Sequence, residues 1–218
     1  MRVKEIYDIL DSISPFELQA SWDNSGLQVG SLSNTFEHIE ISLDLDEALL
    51  DRCKANTLLI THHPLLFKGL KVVDTASYPG HFIQTMLAKN ITLIAMHTNY
   101  DKTHLNRYVL EKVLGFEVVE EDEYVLYFEP KQEFDVFLET LKKAFSLPHL
   151  KYVKTQDTLT HVALTTGSGM DLLPYIDADL FLTGDIKYHQ AMEAKARNIS
   201  LIDTNELANS KIKCNFLK

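Results

Sequence analysis

The sequence predicts an α/β protein of two lobes, built on a mostly parallel sheet flanked by helices. Three observations carry that expectation. Leu58-Leu59-Ile60 and Ile91-Thr92-Leu93-Ile94-Ala95-Met96 are short apolar runs of the kind that form strands buried on both faces. Segments with helical spacing separate such runs, so strand, helix, strand and helix follow one another as right-handed crossovers require. The 218 residues are 45% hydrophobic and 24% charged, ordinary globular proportions, and suffice for one large domain or two small ones.

In order, Val3, Ile6, Tyr7, Leu10 and Ile13 recur at helical spacing until Ser14-Pro15 ends the pattern. The stretch from Ser21 to Gly30 holds the only tryptophan beside Asp23-Asn24 and is bounded by glycines, which suits a turn entering a short strand. A structural role is favoured there over a direct site role: Trp22 as a core plug, Asp23 or Asn24 as turn caps. Ile39 to Leu45 alternates as a strand, and Asp46-Glu47 opens a helix. Thr57 to Ile60 is a strand, 67–79 a loop, His81 to Ala88 a helix, and Ile91 to Met96 the next strand. Leu105, Tyr108, Val109, Val113 and Leu114 form a helix stopped by Gly115.

The acid-rich 117–123 reads as a solvated edge and a lobe boundary. The lobes are therefore 1–122, carrying the histidine and aspartate cluster, and 123–218. The second lobe starts with a strand from Tyr124 to Phe128 and a helix from Lys131 to Phe145. Strands follow at Tyr152-Val153 and His161 to Leu164, and then a small glycine loop, Thr166 to Gly169, leads into a short helix from Met170 to Ile176. Such a loop could hold a phosphate on its amides, although tight connections of this kind are commoner. Leu180 to Leu182, a helix from Tyr188 to Ala196 and a strand from Ser200 to Ile202 complete the pattern.

Composition excludes several functions. A formal net charge of -10 argues against a large nucleic-acid footprint. Cys53 and Cys214 are too few and too far apart for a disulfide framework or a thiolate cluster, so a reducing compartment is expected. The N-terminus has acids where a signal peptide needs an apolar core, and no apolar run nears the roughly 20 residues of a membrane span. The expected location is the cytoplasm.

The chemistry sits where two strands end. The first buried run delivers Thr61-His62-His63-Pro64, and the second delivers His97-Thr98-Asn99-Tyr100-Asp101. Neighbouring parallel strands that release His and Asp at their carboxyl ends converge on one crevice, where ligands of open α/β sheets bind. Imidazole with carboxylate suits zinc, manganese, iron or nickel. His62 and His63 would point to opposite faces of an extended strand, so both can bind metal only if the chain bends there, and Pro64 favours a bend. Each imidazole could then serve one of two ions bridged by Asp101, at the ~3.5–4 Å separation of dinuclear sites. A metal-free alternative uses His97 as general base with Asp101 orienting it, which leaves His62 and His63 idle. His38, His81, His104, His149 and His161 are read as ordinary surface or core residues.

These residues resemble the GTP cyclohydrolase I type 2 homologue family, also called the Nif-three-like family. The matching motifs are Trp22 to Gly30, Thr61 to Phe67, His97 to Asp101 with Asn106, and Thr183-Gly184-Asp185-Ile186-Lys187-Tyr188-His189, so the likeness spans essentially the whole chain. The resemblance implies a two-lobed α/β fold, a toroidal homohexamer with metal sites facing inward, and a centre of two divalent ions. It makes His62, His63 and Asp101 metal ligands and puts His97 in the same pocket as the catalytic residue. The family completes its centre with a histidine and, four residues on, a glutamate, from a C-terminal segment that packs back onto the site. Here Glu206 and Ser210 take those positions, which implies an altered second metal position with Glu206 as ligand. The activity implied is hydrolysis of a nucleotide-like substrate, GTP by the family label. The alternative is a ring that binds, traffics or delivers metal, or binds a ligand, without turnover.

Overall fold

The computed structural model describes residues 1–204. The chain divides between Lys102 and Thr103 into two compact units.

The first unit opens with α1 (Val3–Ile13) and contains strands β1 (Gly26–Val29), β2 (His38–Ser42), β3 (Thr57–Thr61) and β4 (Thr92–Ala95), with α2 (Glu47–Arg52) and α3 (Gly80–Ala88) as crossovers. The strand order is β1-β4-β3-β2. β2 runs parallel to β3 and β3 to β4, whereas β1 is antiparallel to β4. Period-two alternation sorts the buried side chains. Leu58, Ile60 and Ile94 pack with Val3 and Phe16 on the α1 side, while Leu59 and Leu93 pack with Leu49, Leu50, Phe82 and Met86 of α2 and α3. The Asp46 side chain accepts from Leu49 N at 2.7 Å and caps α2 as the sequence expects. At the other end of α2, Lys89 Nζ donates to the carbonyls of Leu50, Asp51 and Cys53. Gly30 sits at φ +96°, where a Cβ would stand 2.6 Å from Thr92 Oγ1, so this corner requires glycine.

Helical backbone begins at Thr98, earlier than the spacing of apolar residues suggests. α4 (Thr98–Tyr100) is followed by a π-helical stretch, Asp101–Leu105, by α5 (Asn106–Tyr108) and by a second π stretch, Val109–Leu114, which Gly115 ends at φ 77°.

The second unit holds the six-stranded order β5-β6-β10-β11-β12-β8, made of β5 (Glu120–Asp122), β6 (Val125–Phe128), β8 (Lys151–Val153), β10 (Val162–Leu164), β11 (Leu180–Thr183) and β12 (Ser200–Asp203). A small ribbon of β7 (Gln132–Glu133) and β9 (Thr158–Leu159) was not legible in the sequence. α6 (Phe134–Phe145) buries Phe134, Phe137, Leu138, Leu141 and Phe145, the face its periodicity predicts. α7 (Tyr188–Ala196) has the expected bounds.

Two expectations need correction. The sheets are mixed rather than mostly parallel. In the second, β10, β11 and β12 are parallel, but β5, β6 and β8 pair antiparallel. The physical reason is connection length: Asp122 pairs with Val125 across a turn of Glu123 and Tyr124, too short for a parallel crossover. Glu123 takes φ 48° in this turn, the left-handed backbone that tight hairpins demand. The acid-rich stretch is thus a solvated edge, as read, and part of a hairpin; the compact units divide about twenty residues earlier, at Lys102.

The glycine loop between β10 and the 3-10 turn Met170–Tyr175 is locked as a connection. Gly169 N donates to Thr183 Oγ1 at 2.9 Å, Thr183 Oγ1 donates to Gly167 O at 3.0 Å, and Gly184 N donates to Gly167 O at 2.8 Å. Asn106, a motif residue, is buried in this unit, where Nδ2 donates to Tyr124 O and Oδ1 accepts from Thr166 N. Among the described residues no helix is long and apolar enough to cross a membrane.

Candidate metal centre

The centre lies at the carboxyl ends of β2, β3 and β4 in the first unit. β3 ends at Thr61, and the chain bends at once. His62 N and His63 N both turn to the Leu43 carbonyl, at 3.2 and 3.0 Å, and Thr61 Oγ1 donates to His63 O at 2.9 Å. The bend does what strand geometry would forbid, bringing adjacent imidazoles to one side with ring centroids 4.9 Å apart.

β4 delivers the third imidazole. The His97 ring stands 5.1 Å from that of His62 and 5.6 Å from that of His63. One potential ligand atom from each of His62, His63 and His97 lies within 4.8 Å of the others, the only such group of three among the described residues. Asp101 follows one helical turn after His97, its amide donating to the His97 carbonyl at 3.0 Å, and its Oδ1 stands 3.5 Å from His62 Nε2. His62 and Asp101 are buried. The structure therefore brings His62, His63, His97 and Asp101 together; Glu206 and Ser210 lie outside the described residues.

Carboxylates brace two of the imidazoles from behind. His63 Nδ1 meets Asp44 Oδ1 at 2.6 Å and His97 Nδ1 meets Asp23 Oδ1 at 2.8 Å. With Nδ1 committed, Nε2 is the nitrogen each ring offers to a metal or a proton, the outer-shell arrangement found behind metal-bound histidines. Asp23 also accepts from Thr98 N at 3.1 Å, from Thr98 Oγ1 at 2.5 Å and from Asn24 N at 2.7 Å. Burial pushes its carboxyl up, but the bonds from His97, Thr98 and Asn24, with the His97 charge, outweigh this and hold it well below the usual carboxylate range. Burial first, and then the Asp101 charge, push the Tyr100 phenol up to about 12, so it stays neutral beside the centre. One buried and two half-buried imidazoles, the latter two carboxylate-braced, with one carboxylate oxygen fit a borderline divalent ion.

Sequence reasoning missed or misread four neighbours. Asp23 was expected chiefly as a turn cap, with a direct site role second; it caps the turn and meets the His97 ring. Asp44 was passed over, although β2 is the parallel neighbour of β3 and ends at the same edge. Trp22 is not a core plug: it is 64% exposed, because Asp23, not the indole, is the residue this turn buries. Phe67, assigned only to a loop, stands with its ring centroid 5.6 Å from that of His97.

Fold and site together define an α/β protein with a histidine-rich centre able to hold a metal ion. A family model described as Duf34/NIF3 (NGG1p interacting factor 3) matches residues 1–209, and the chain belongs to that family. It is 46% identical over 204 residues to a "GTP cyclohydrolase 1 type 2 homolog" of Campylobacter jejuni, covering 93% of this chain and 85% of that protein. It is 42% identical over 203 residues to a "GTP cyclohydrolase 1 type 2" of Helicobacter pylori, covering 92% and 84%. Among solved structures, reduced HcgD from Methanocaldococcus jannaschii shares the fold at a TM-score of 0.85, with 24% identity, covering all of this chain and 92% of that one.

Proposed function

We propose that the protein is a metal-dependent hydrolase that opens the guanine five-membered ring of GTP at C8, the substrate printed in the names of its Helicobacter and Campylobacter relatives. The observation that carries the reading is the bend after β3, which gathers His62 and His63 on one side beside Asp101. In this reading His62, His63 and Asp101 hold divalent metal, with Glu206 serving a second ion. A bound divalent ion supplies Lewis acidity, polarising the substrate and easing deprotonation of water. His97 moves the proton at Nε2, and Asp23 fixes its tautomer and direction through Nδ1. His62 and Asp101 are themselves buried from bulk water. Six chains are proposed to close into a ring with these centres facing inward, a reading supported by the family resemblance that sedimentation equilibrium would test.

Elemental analysis of untagged protein purified without chelator tests the metal assignment. About two ions per chain are expected, lost in His63→Ala and in Asp101→Ala. His97→Gln is expected to keep its metal and lose turnover of GTP. Loss of metal from that variant would make His97 a ligand instead, and reversible metal release without turnover of any nucleotide would favour a carrier.

A further inference from the structure

Two large exposed aromatic rings lie next to His97. Trp22 is 64% exposed with its centroid 6.0 Å from that of His97 at 75°, and Phe67 is 46% exposed at 5.6 Å and 84°. The plane of each ring is therefore nearly perpendicular to the imidazole plane. Exposed rings at the mouth of a polar site cost hydration and are kept where a ligand covers them.

The segments that carry the two rings are also tied to each other. Asn24 Nδ2 donates to Leu66 O at 2.5 Å, Leu66 N donates to Gln28 Oε1 at 3.1 Å, and Gln28 Nε2 donates back to Asn24 O at 2.5 Å. This closed set of bonds joins the backbone two residues after Trp22 to the backbone immediately before Phe67. Asp23, between Trp22 and Asn24, is anchored to His97 and Thr98. Neither ring rides on a loose loop, so their spacing is set before a ligand arrives. Lys68, which follows Phe67, is exposed in a chain of net charge -10.

We propose that Trp22 and Phe67 form a clamp that takes a planar heteroaromatic ring, purine-sized, by stacking, and holds it over His97. Stacking on aromatic side chains suits any nucleobase because each presents a π face. The inference rests on the reading that this centre acts on a nucleotide, and it names the residues that would recognise the base.

Trp22 is the only tryptophan, so its fluorescence reports the clamp directly. Protein as purified is titrated with GTP, guanosine and inorganic tripolyphosphate. GTP and guanosine are expected to quench Trp22 and tripolyphosphate is not. Phe67→Leu should weaken guanosine binding about tenfold while Phe67→Tyr preserves it. The inference is overturned if no nucleoside quenches Trp22, if Phe67→Leu binds like the parent, or if acrylamide cannot reach Trp22 because a second copy of the chain covers it. Turnover separates this from the hydrolase reading: quenching without hydrolysis keeps the clamp and removes the hydrolase, while hydrolysis without quenching does the reverse.

Discussion

At the carboxyl ends of β3 and β4, imidazoles are held from behind by carboxylates on a second nitrogen. At the carboxyl ends of β10, β11 and β12, hydroxyls and glycine amides are bonded to one another. Thr183 Oγ1 lies between Gly169 N and Gly167 O, Thr204 N and Oγ1 reach Thr183 O, and Thr165 Oγ1 donates to Tyr124 O. Both ends satisfy buried polar groups, as any buried backbone must. They differ in what remains to be offered. A hydroxyl whose single proton is committed inside the fold can no longer donate, whereas an imidazole has a second ring nitrogen besides the one that meets a carboxylate. Parallel strand ends thus become chemistry or scaffold according to the side chains that cap them.

The sharpest way to break that comparison is to cut a brace. Asp23→Asn is expected to lower GTP turnover about 100-fold through loss of the His97 tautomer, with metal content unchanged. Steady-state kinetics and elemental analysis of the same sample decide it, and unchanged turnover would reduce Asp23 to a turn cap. The matching cut in the second unit is Thr183→Val, which leaves Gly169 N without its acceptor. It should cost about 1–3 kcal/mol in urea unfolding and leave metal content intact. If it removed metal, the division of labour between the two sets of strand ends would be wrong.

Asp44→Ala tests the more exposed brace. Metal affinity measured by competition with a chelating dye should fall about tenfold, less than for a ligand itself. The smallest effect belongs to Asp179, which accepts from Thr160 N, Thr160 Oγ1 and His161 N at the entry to β10. Burial raises its carboxyl, but those bonds and the His161 charge bring it below the usual value. Its contribution is therefore present above the ordinary carboxylate value of about 3.9 and fades as pH falls through and below it. The urea midpoint should drop between about pH 5 and about pH 3, and by less in Asp179→Ala.

Much of this was legible beforehand, for identifiable reasons. α1 and α6 carry a 3.6 period set by burial on one side, and buried runs marked β3, β4 and β11. Sheet direction was harder to read: β5 and β6 differ from a parallel pair only through a two-residue turn, and the acids there gave no hint of pairing. His62, His63, His97 and Asp101 stood out because histidines at strand ends are uncommon in bland packing. Asp44 and Asp23 did not, because a carboxylate in a loop looks the same whether it caps a turn or braces a ring. The exposure of Trp22 ran against its size, which argues for a core position.

The single turn between His97 and Asp101 has a consequence for how this gene can vary. Inserting or deleting one residue there would rotate the carboxylate by about 100° around the helix axis and carry it away from His62. The exposed stretch 68–78 faces no comparable constraint, since it lies between a bonded Leu66 and the start of α3. Length changes among descendants of this chain should therefore accumulate in 68–78 and be purged between His97 and Asp101, even where individual side chains in both segments drift.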